Sequence, residues 1–165
     1  MRKQLYLSII ERLKTIRDEK GMPVIKHFDL WNQNVEFLNQ EQPAFFPLCF
    51  IEFKPIQWEH LSGGLRTAAF TIRLHIVSQW LYPTEDGSGF QEQGLAYLDL
   101  LDDVNRALHQ FSGEGFSSFC CTGSITNHNH EGIIEDIEEF TTTVKDGSAQ
   151  KVAVKLRPDV SIKRE

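Results

Sequence analysis

Hydrophobic and polar residues alternate over an unusual length between Leu65 and Trp80. A period of two predicts a strand with one buried and one solvated face. The apolar even positions are Ala68, Phe70, Ile72, Leu74, Ile76 and Trp80, and the polar odd positions are Thr67, Thr71, Arg73, His75 and Gln79. Sixteen residues in a strand span roughly 50 Å. We therefore expect part of this strand to project beyond the body of its domain.

The preceding segment, Leu48–Lys54, predicts the partner strand of a long central hairpin that runs from Leu48 to Trp80. Its first four residues are all apolar, which is typical of a central strand buried on both faces. Pro55 ends the strand because proline has no backbone donor. The connection Ile56–Gly64 is too long for a tight turn, so we expect either a protruding loop or a loop that folds back onto its own domain.

Two segments show the apolar spacing of amphipathic helices. Residues 3–19 form the first, and Gly21 and Pro23 are typical of its end. Phe90–Phe111 forms the second, with an apolar stripe broad enough for a helix that lies flat on a sheet. Between the sheet and this second helix, Leu81–Gly89 has the proline, glycine and serine content of a mobile loop.

Shorter patterns predict the remaining strands. Val24–Trp31 and Phe116–Asn127 alternate, and Val35–Leu38 fits a brief edge strand. In Ile133–Val144 the apolar spacing also fits a helix, but the β-branched run Thr141–Val144 favours a strand that ends near Lys145. We expect a bulge in this strand around Glu138–Glu139.

The predicted order of elements, α-β-β-β-α-β-β, indicates an α+β fold. Its core is a single, mainly antiparallel β-sheet with two amphipathic helices on one face. Residues 1–146 form the single domain, and residues 147–165 form an extended C-terminal arm. The arm alternates again, and an alternating segment is not stable alone. It could pair with a sheet edge, its own or a neighbour's, or it could be a solvated end.

Composition and charge narrow the classes of function. The 165 residues are 41% hydrophobic and 24% charged, as in a soluble globular protein. The apolar runs are too short for a signal peptide or a membrane helix, so we expect no membrane partner. The net charge is −6, but residues 145–165 carry +3 and residues 1–144 carry −9. An acidic body argues against nucleic-acid recognition, and a basic arm on such a body favours docking on protein.

The candidate chemical groups do not form a catalytic signature. His128 and His130, two residues apart beside Glu131, are weak candidates for a metal site, with His75 as a possible third ligand. A strand connection explains the same residues. Cys120 and Cys121 fit packing better than a thiol nucleophile. We therefore predict no catalytic residue, no bound cofactor and no enzyme activity.

Candidate contacts to a partner lie on two segments. The protruding loop carries the first group, Trp58, His60 and Leu61. The arm carries the second group, Val152, Val154, Leu156 and Arg157. We expect residues 150–165 to lie against the acidic surface of a neighbouring subunit.

Five segments together resemble tail-completion proteins of phages and prophages, of the tail terminator class (the minor tail protein U type). These are HFDLW at residues 27–31, FIEF at 50–53, TIRLH at 71–75, NHNHE at 127–131 and IEEF at 137–140. The resemblance implies a small α+β structural subunit of the virion tail, assembled in the host cytoplasm. Such subunits form a ring, commonly a hexamer, at the head-proximal end of the tail tube. The ring stops tube polymerisation and joins the tail to the head–neck connector proteins.

Two other functions compete with this interpretation. A head-closure or neck adaptor protein is also a small ring-forming structural protein. A metal-dependent hydrolase would use His128 and His130. The family offers no catalytic residue to carry over. The resemblance does not extend to the alternating basic arm, whose role it leaves open.

Overall fold

The computed structural model describes residues 1–41 and 45–150. In this part of the chain a short 3-10 turn, Ser62–Gly64, precedes the strand that begins at Arg66. The helices are α1 (Arg2–Leu13), α2 (Asn34–Glu41) and α3 (Gln91–Leu108). The strands are β1 (His27–Leu30), β2 (Leu48–Phe53), β3 (Glu59–His60), β4 (Arg66–Gln79), β5 (Cys120–Asn127) and β6 (Ile133–Asp146).

The strands form one sheet in the order β1-β2-β4-β6-β5, and β3 pairs with the beginning of β4. Every pair is antiparallel except β1 with β2. The predicted α+β class with a mainly antiparallel sheet is confirmed. The central position of Leu48–Lys54 is confirmed as well, because β2 lies between β1 and β4.

β4 pairs with the expected partner, β2, over part of its length and with β6 over all of it. All 14 residues of β4 pair with β6, from Arg66 opposite Asp146 to Gln79 opposite Ile133. β2 pairs only with residues 72–77 of β4. The prediction of a strand projecting beyond the domain was therefore wrong, since the length of β4 is matched by β6. We call this pairing the β4–β6 ladder.

The helix face of the sheet holds the main core. Even-numbered residues of β4 lie buried on this face against the apolar sides of α1 and α3, as the alternation predicts. Phe70, Phe140 and Leu13 are fully buried there. Burial of such side chains contributes about 1.5–3 kcal/mol each and holds both helices on one face.

A third helix covers part of the opposite face. The edge strand predicted at Val35–Leu38 was wrong, because these residues lie within α2. Val35 and Leu38 are one helical turn apart, so both reach the same surface. They pack against Phe50 and Val77 of the sheet. The part of the second face around Phe50 and Val77 is therefore buried.

Some element boundaries differ from those predicted. α1 ends at Leu13 rather than at residue 19, and Gly21, at φ +76°, lies in a separate turn. β5 begins at Cys120 rather than at Phe116. The register shift lies in β5, between Cys121 and Gly123, and not at Glu138–Glu139 of β6.

Candidate functional site

The most enclosed polar cluster lies on the second face of the sheet, around His75. The His75 Nδ1 atom is 2.7 Å from Glu135 Oε1, and its Nε2 atom is 3.4 Å from Glu52 Oε2. Trp31 stacks on the imidazole ring, with a centroid distance of 3.7 Å and an interplanar angle of 4°. The alternation predicted a solvated His75, but only 4% of the residue is exposed. The prediction failed because Trp31, far away in sequence, covers this face.

Glu135 is the anionic centre of this cluster. Its second oxygen accepts a hydrogen bond of 2.6 Å from Asn127 Nδ2 and lies 3.3 Å from His130 Nε2. Burial raises the pKa of Glu135, but the bonds from His75, Asn127 and His130 outweigh it and hold the pKa below its ordinary value. The carboxylate is therefore charged, buried and satisfied. We call these residues, with Glu52 and Trp31, the His75 cluster.

The His75 cluster is closed to a substrate. Both ring nitrogens of His75 face carboxylates, and Trp31 covers the ring. His130 joins the cluster through Glu135, whereas His128 is exposed. Within residues 1–41 and 45–150, no group of three histidine, cysteine, aspartate or glutamate side chains is arranged to hold a metal ion. The geometry of the described residues is that of a structural network.

Two of the three cysteines, Cys49 and Cys121, are poorly placed for nucleophilic chemistry, whereas Cys120 is exposed. Cys49 is buried, and burial raises the pKa of its thiol to about 12. Burial also raises the pKa of Cys121, and the nearby Glu138 carboxylate adds to the effect. A thiol with a raised pKa is a weak nucleophile at neutral pH, because the thiolate is the reactive form.

The Ile56–Gly64 loop folds back onto its own domain, because β3 pairs with β4 and Trp58 packs against the core. A cation–π and ion-pair contact anchors it at the end of the β4–β6 ladder. The Arg66 guanidinium lies 4.2 Å from the centroid of the Trp58 ring. Arg66 Nε and Nη2 donate to Asp146 Oδ2, at 2.9 and 2.6 Å. Trp58 is half-buried against the core, whereas His60 and Leu61 are exposed. Of these three candidate contacts, His60 and Leu61 remain accessible to a partner.

We expect the Arg66–Asp146 ion pair to make a contribution to stability that is lost in acid. Hydrogen bonds from Arg66 and from the Ser148 backbone lower the pKa of Asp146 to about 2, from an ordinary value of 3.8. The contribution is present above pH 3.8 and is lost as the pH falls toward 2. We expect Asp146→Asn to destabilise the protein by about 1 kcal/mol at pH 7, since Arg66 is partly exposed. Urea denaturation should show this difference vanishing near pH 2. Asp86→Asn, at an exposed loop carboxyl, is the control and should leave the midpoint unchanged at both pH values.

Exposed aromatic and aliphatic side chains collect at the opposite end of the ladder, where β4 leads into α3. The exposed fractions are 44% for Trp80, 61% for Leu81, 45% for Tyr82 and 55% for Phe90. Tyr82 and Phe90 stack at 5.9 Å, and Trp80 packs against Tyr97 at 5.7 Å. A groove of about 330 Å³ runs between Trp80, Tyr82 and Tyr97. We call these five residues the aromatic end patch.

Sequence reasoning missed the aromatic end patch. The segment Leu81–Gly89 was interpreted as a mobile loop from its proline, glycine and serine content. The available signal was the run Trp80–Leu81–Tyr82, followed by Phe90 eight residues later. Contiguous exposed apolar side chains of this size mark an interaction surface. The fold brings them together because Gly94 of α3 lets the backbone of Pro83 approach it closely.

The arm contacts predicted at Val152, Val154, Leu156 and Arg157 lie outside the described residues. The last described residues are placed at the beginning of β4. The Ser148 backbone donates to Asp146 Oδ1, and Ala149 lies against Gly64, which has no side chain to block it. The chain therefore leaves the described part at the end of the ladder opposite the aromatic end patch.

Comparisons with known proteins do not place the chain in a family. No family model matches the chain, and no curated protein matches it. Among solved structures, the chain is similar to one from the "virion of native gene transfer agent (GTA) particle". The TM-score is 0.46 and the identity 10%, over 86% of this chain and 95% of that chain. No helix among the described residues is long and apolar enough to cross a membrane.

Proposed function

We propose that this chain is a structural subunit of a phage or prophage tail, of the tail terminator type. It forms a homo-oligomeric ring, a hexamer, at the head-proximal end of the tail tube. There it stops tube polymerisation and joins the tail to the head–neck connector proteins. The five resembling segments support the tail terminator type, and the geometry supports a role in assembly.

The aromatic end patch is the observation that carries the assembly role. A protein that acts through contacts needs accessible apolar anchors rather than an enclosed reactive group. The described residues offer such anchors at Trp80, Leu81, Tyr82 and Phe90, whereas the His75 cluster is closed. A patch at one end of a subunit suits a head-to-tail contact, because repeating that contact around a rotation axis closes a ring.

We expect the full-length chain to sediment and scatter light as a ring of about six times its 19.0 kDa mass. A chain truncated after Gln150 should lose the ring, because residues 151–165 would dock on the neighbouring subunit. The truncation leaves every described residue in place, so circular dichroism should be preserved. A truncated chain that assembles like the full-length one would contradict the role of the arm. A full-length chain that is monomeric at all concentrations would contradict the ring.

The terminator role has its own test. The purified ring is added to major tail protein from the same gene cluster while that protein polymerises into tubes. We expect the ring to bind tube ends and to shorten the tubes, whose lengths are measured in negative-stain images. A neck adaptor would instead bind the connector proteins and leave tube length unchanged. Stoichiometric zinc uptake after chelation and reloading would favour the metal-dependent enzyme and would count against the structural role.

A further inference from the structure

We infer that the aromatic end patch is the docking site for residues 151–165 of the next copy in the ring. The inference rests on the proposed function, since it requires a repeating contact between copies.

The surface suits an extended apolar segment. The Trp80 and Tyr97 rings pack together, and Tyr82 stacks on Phe90 beside them. The groove between Trp80, Tyr82 and Tyr97 is lined mainly by apolar and aromatic side chains, with Ser78, Gln79 and Gln93 as its polar members. Alternate residues of an extended strand point to the same side. In the arm, Val152, Val154 and Leu156 occupy such alternate positions and would face the groove together.

The charge around the patch matches the arm. Residues 74–105 contain six carboxylates and no lysine or arginine. Glu85, Asp86 and Glu92 belong to the loop and to the first turn of α3, directly beside the aromatic residues, and all three are exposed. Lys26, near the groove residue Val24, is already turned to the carbonyl of Pro23. Residues 151–165 carry five basic and two acidic residues, a net of +3. Basic side chains in the arm would meet carboxylates, and Arg157 could also stack on an aromatic ring.

The length of the ladder indicates that the arm comes from another copy. The chain leaves the described part beside Gly64, and the patch begins at Trp80, so the whole of β4 separates them. Fourteen strand residues cover roughly 43 Å. Leu156 follows Gln150 by six residues, which span about 22 Å at most in an extended chain. Val152, Val154 and Leu156 therefore cannot reach the patch of their own subunit. A neighbour placed head to tail offers the same patch close to where the arm begins.

Cross-linking of mixed subunits tests the inference. Full-length chains made in ordinary and in ¹⁵N-enriched medium are assembled together and treated with a carbodiimide, which joins amines to carboxylates without a spacer. We expect Lys151 or Lys155 to be cross-linked to Glu85, Asp86 or Glu92. In some of these cross-linked peptide pairs, one peptide should come from a ¹⁵N-enriched chain and the other from an ordinary chain. Cross-links confined to pairs of equal isotope would show that the arm docks on its own subunit. Cross-links to carboxylates elsewhere, or none from the arm, would equally overturn the inference.

Surface variants of the full-length chain give a second measurement. Tyr82→Ser with Phe90→Ser should raise the concentration at which the ring dissociates by about tenfold or more, since two anchoring aromatics are lost. Ile125→Ser, at a 60% exposed position on the edge strand β5, is the matched control and should leave that concentration unchanged. If Ile125→Ser weakens the ring and the aromatic variant does not, the arm docks on the sheet edge. An intact ring in both variants overturns the inference and leaves the proposed ring standing, whereas a monomeric wild type contradicts the ring itself.

Discussion

Replacing Phe140 by alanine is expected to lower the free energy of unfolding by about 3–5 kcal/mol. Phe140 lies at the middle of β6 on the helix face, where none of its surface is exposed. It stands opposite Ile72 in the β4–β6 ladder and meets the Phe119 ring edge-on at 6.4 Å. Alanine would leave a cavity under α3 that rigid strands on both sides cannot close. For a domain of ordinary stability, about 5–15 kcal/mol, this is a large share.

Urea denaturation followed by circular dichroism measures this effect, and Phe45→Ala provides the matched control. Phe45 is 75% exposed, so its removal should change the free energy of unfolding by less than about 0.5 kcal/mol. A loss below about 1 kcal/mol for Phe140→Ala would mean that the core between β6 and the helices can collapse around the missing ring. Equal slopes of the free energy of unfolding against urea concentration would show that both variants expose the same surface area on unfolding.

Local periodicity predicted the elements that bury one face, and it failed where distant parts of the chain meet. The alternation of β4 and the stripes of α1 and α3 are properties of neighbouring residues, so they could be predicted from the sequence. Val35 and Leu38 are three residues apart, a spacing too short to distinguish a strand from one turn of helix. Which strand lies beside β4 depends on the packing of the whole chain, and β6 begins 54 residues after β4 ends.

The His75 cluster shows the same limit for a single side chain. Alternation placed His75 correctly on the face opposite Phe70, but whether that face is solvated depends on what covers it. The covering ring, Trp31, comes from the far edge of the sheet, and the anionic partner, Glu135, is 60 residues away. The sequence contained both residues but no signal that would bring them together.

Breaking the His75–Glu135 pair is the second change with a large expected effect. His75→Leu should lower the free energy of unfolding by about 3–5 kcal/mol at pH 7, because it leaves a buried carboxylate without the partner of its Oε1 atom. Asn127 and His130 would remain on the other oxygen and cannot replace the bond to Oε1. His60→Leu, at an exposed position of β3, is the matched control and should be nearly neutral.

A second substitution separates the buried charge from the lost packing. In the wild type, Glu135→Gln should destabilise the protein by about 1–3 kcal/mol, because it removes a charge-assisted bond. In the His75→Leu protein, Glu135→Gln should instead raise the free energy of unfolding, since a neutral amide of equal size then replaces the unpaired carboxylate charge. This reversal of sign is measured by a double-mutant cycle of urea denaturations. If Glu135→Gln destabilises both proteins equally, the two side chains are not coupled.

The reversal should depend on pH in a defined direction. With His75 replaced, burial still raises the pKa of Glu135 while the hydrogen bond and the charge of His75 no longer lower it, so we expect that pKa to lie above its ordinary value of 4.5. An acid with a raised pKa in the folded state costs stability above that pKa, and protonation relieves the cost as the pH falls. The gain from Glu135→Gln in the His75→Leu protein should therefore shrink between pH 7 and pH 4.5. Asp136, whose pKa burial also raises, is common to both proteins and cancels in the comparison. A gain that stays constant over this range would mean that the cost of His75→Leu comes from the lost Trp31 stacking and not from the buried charge.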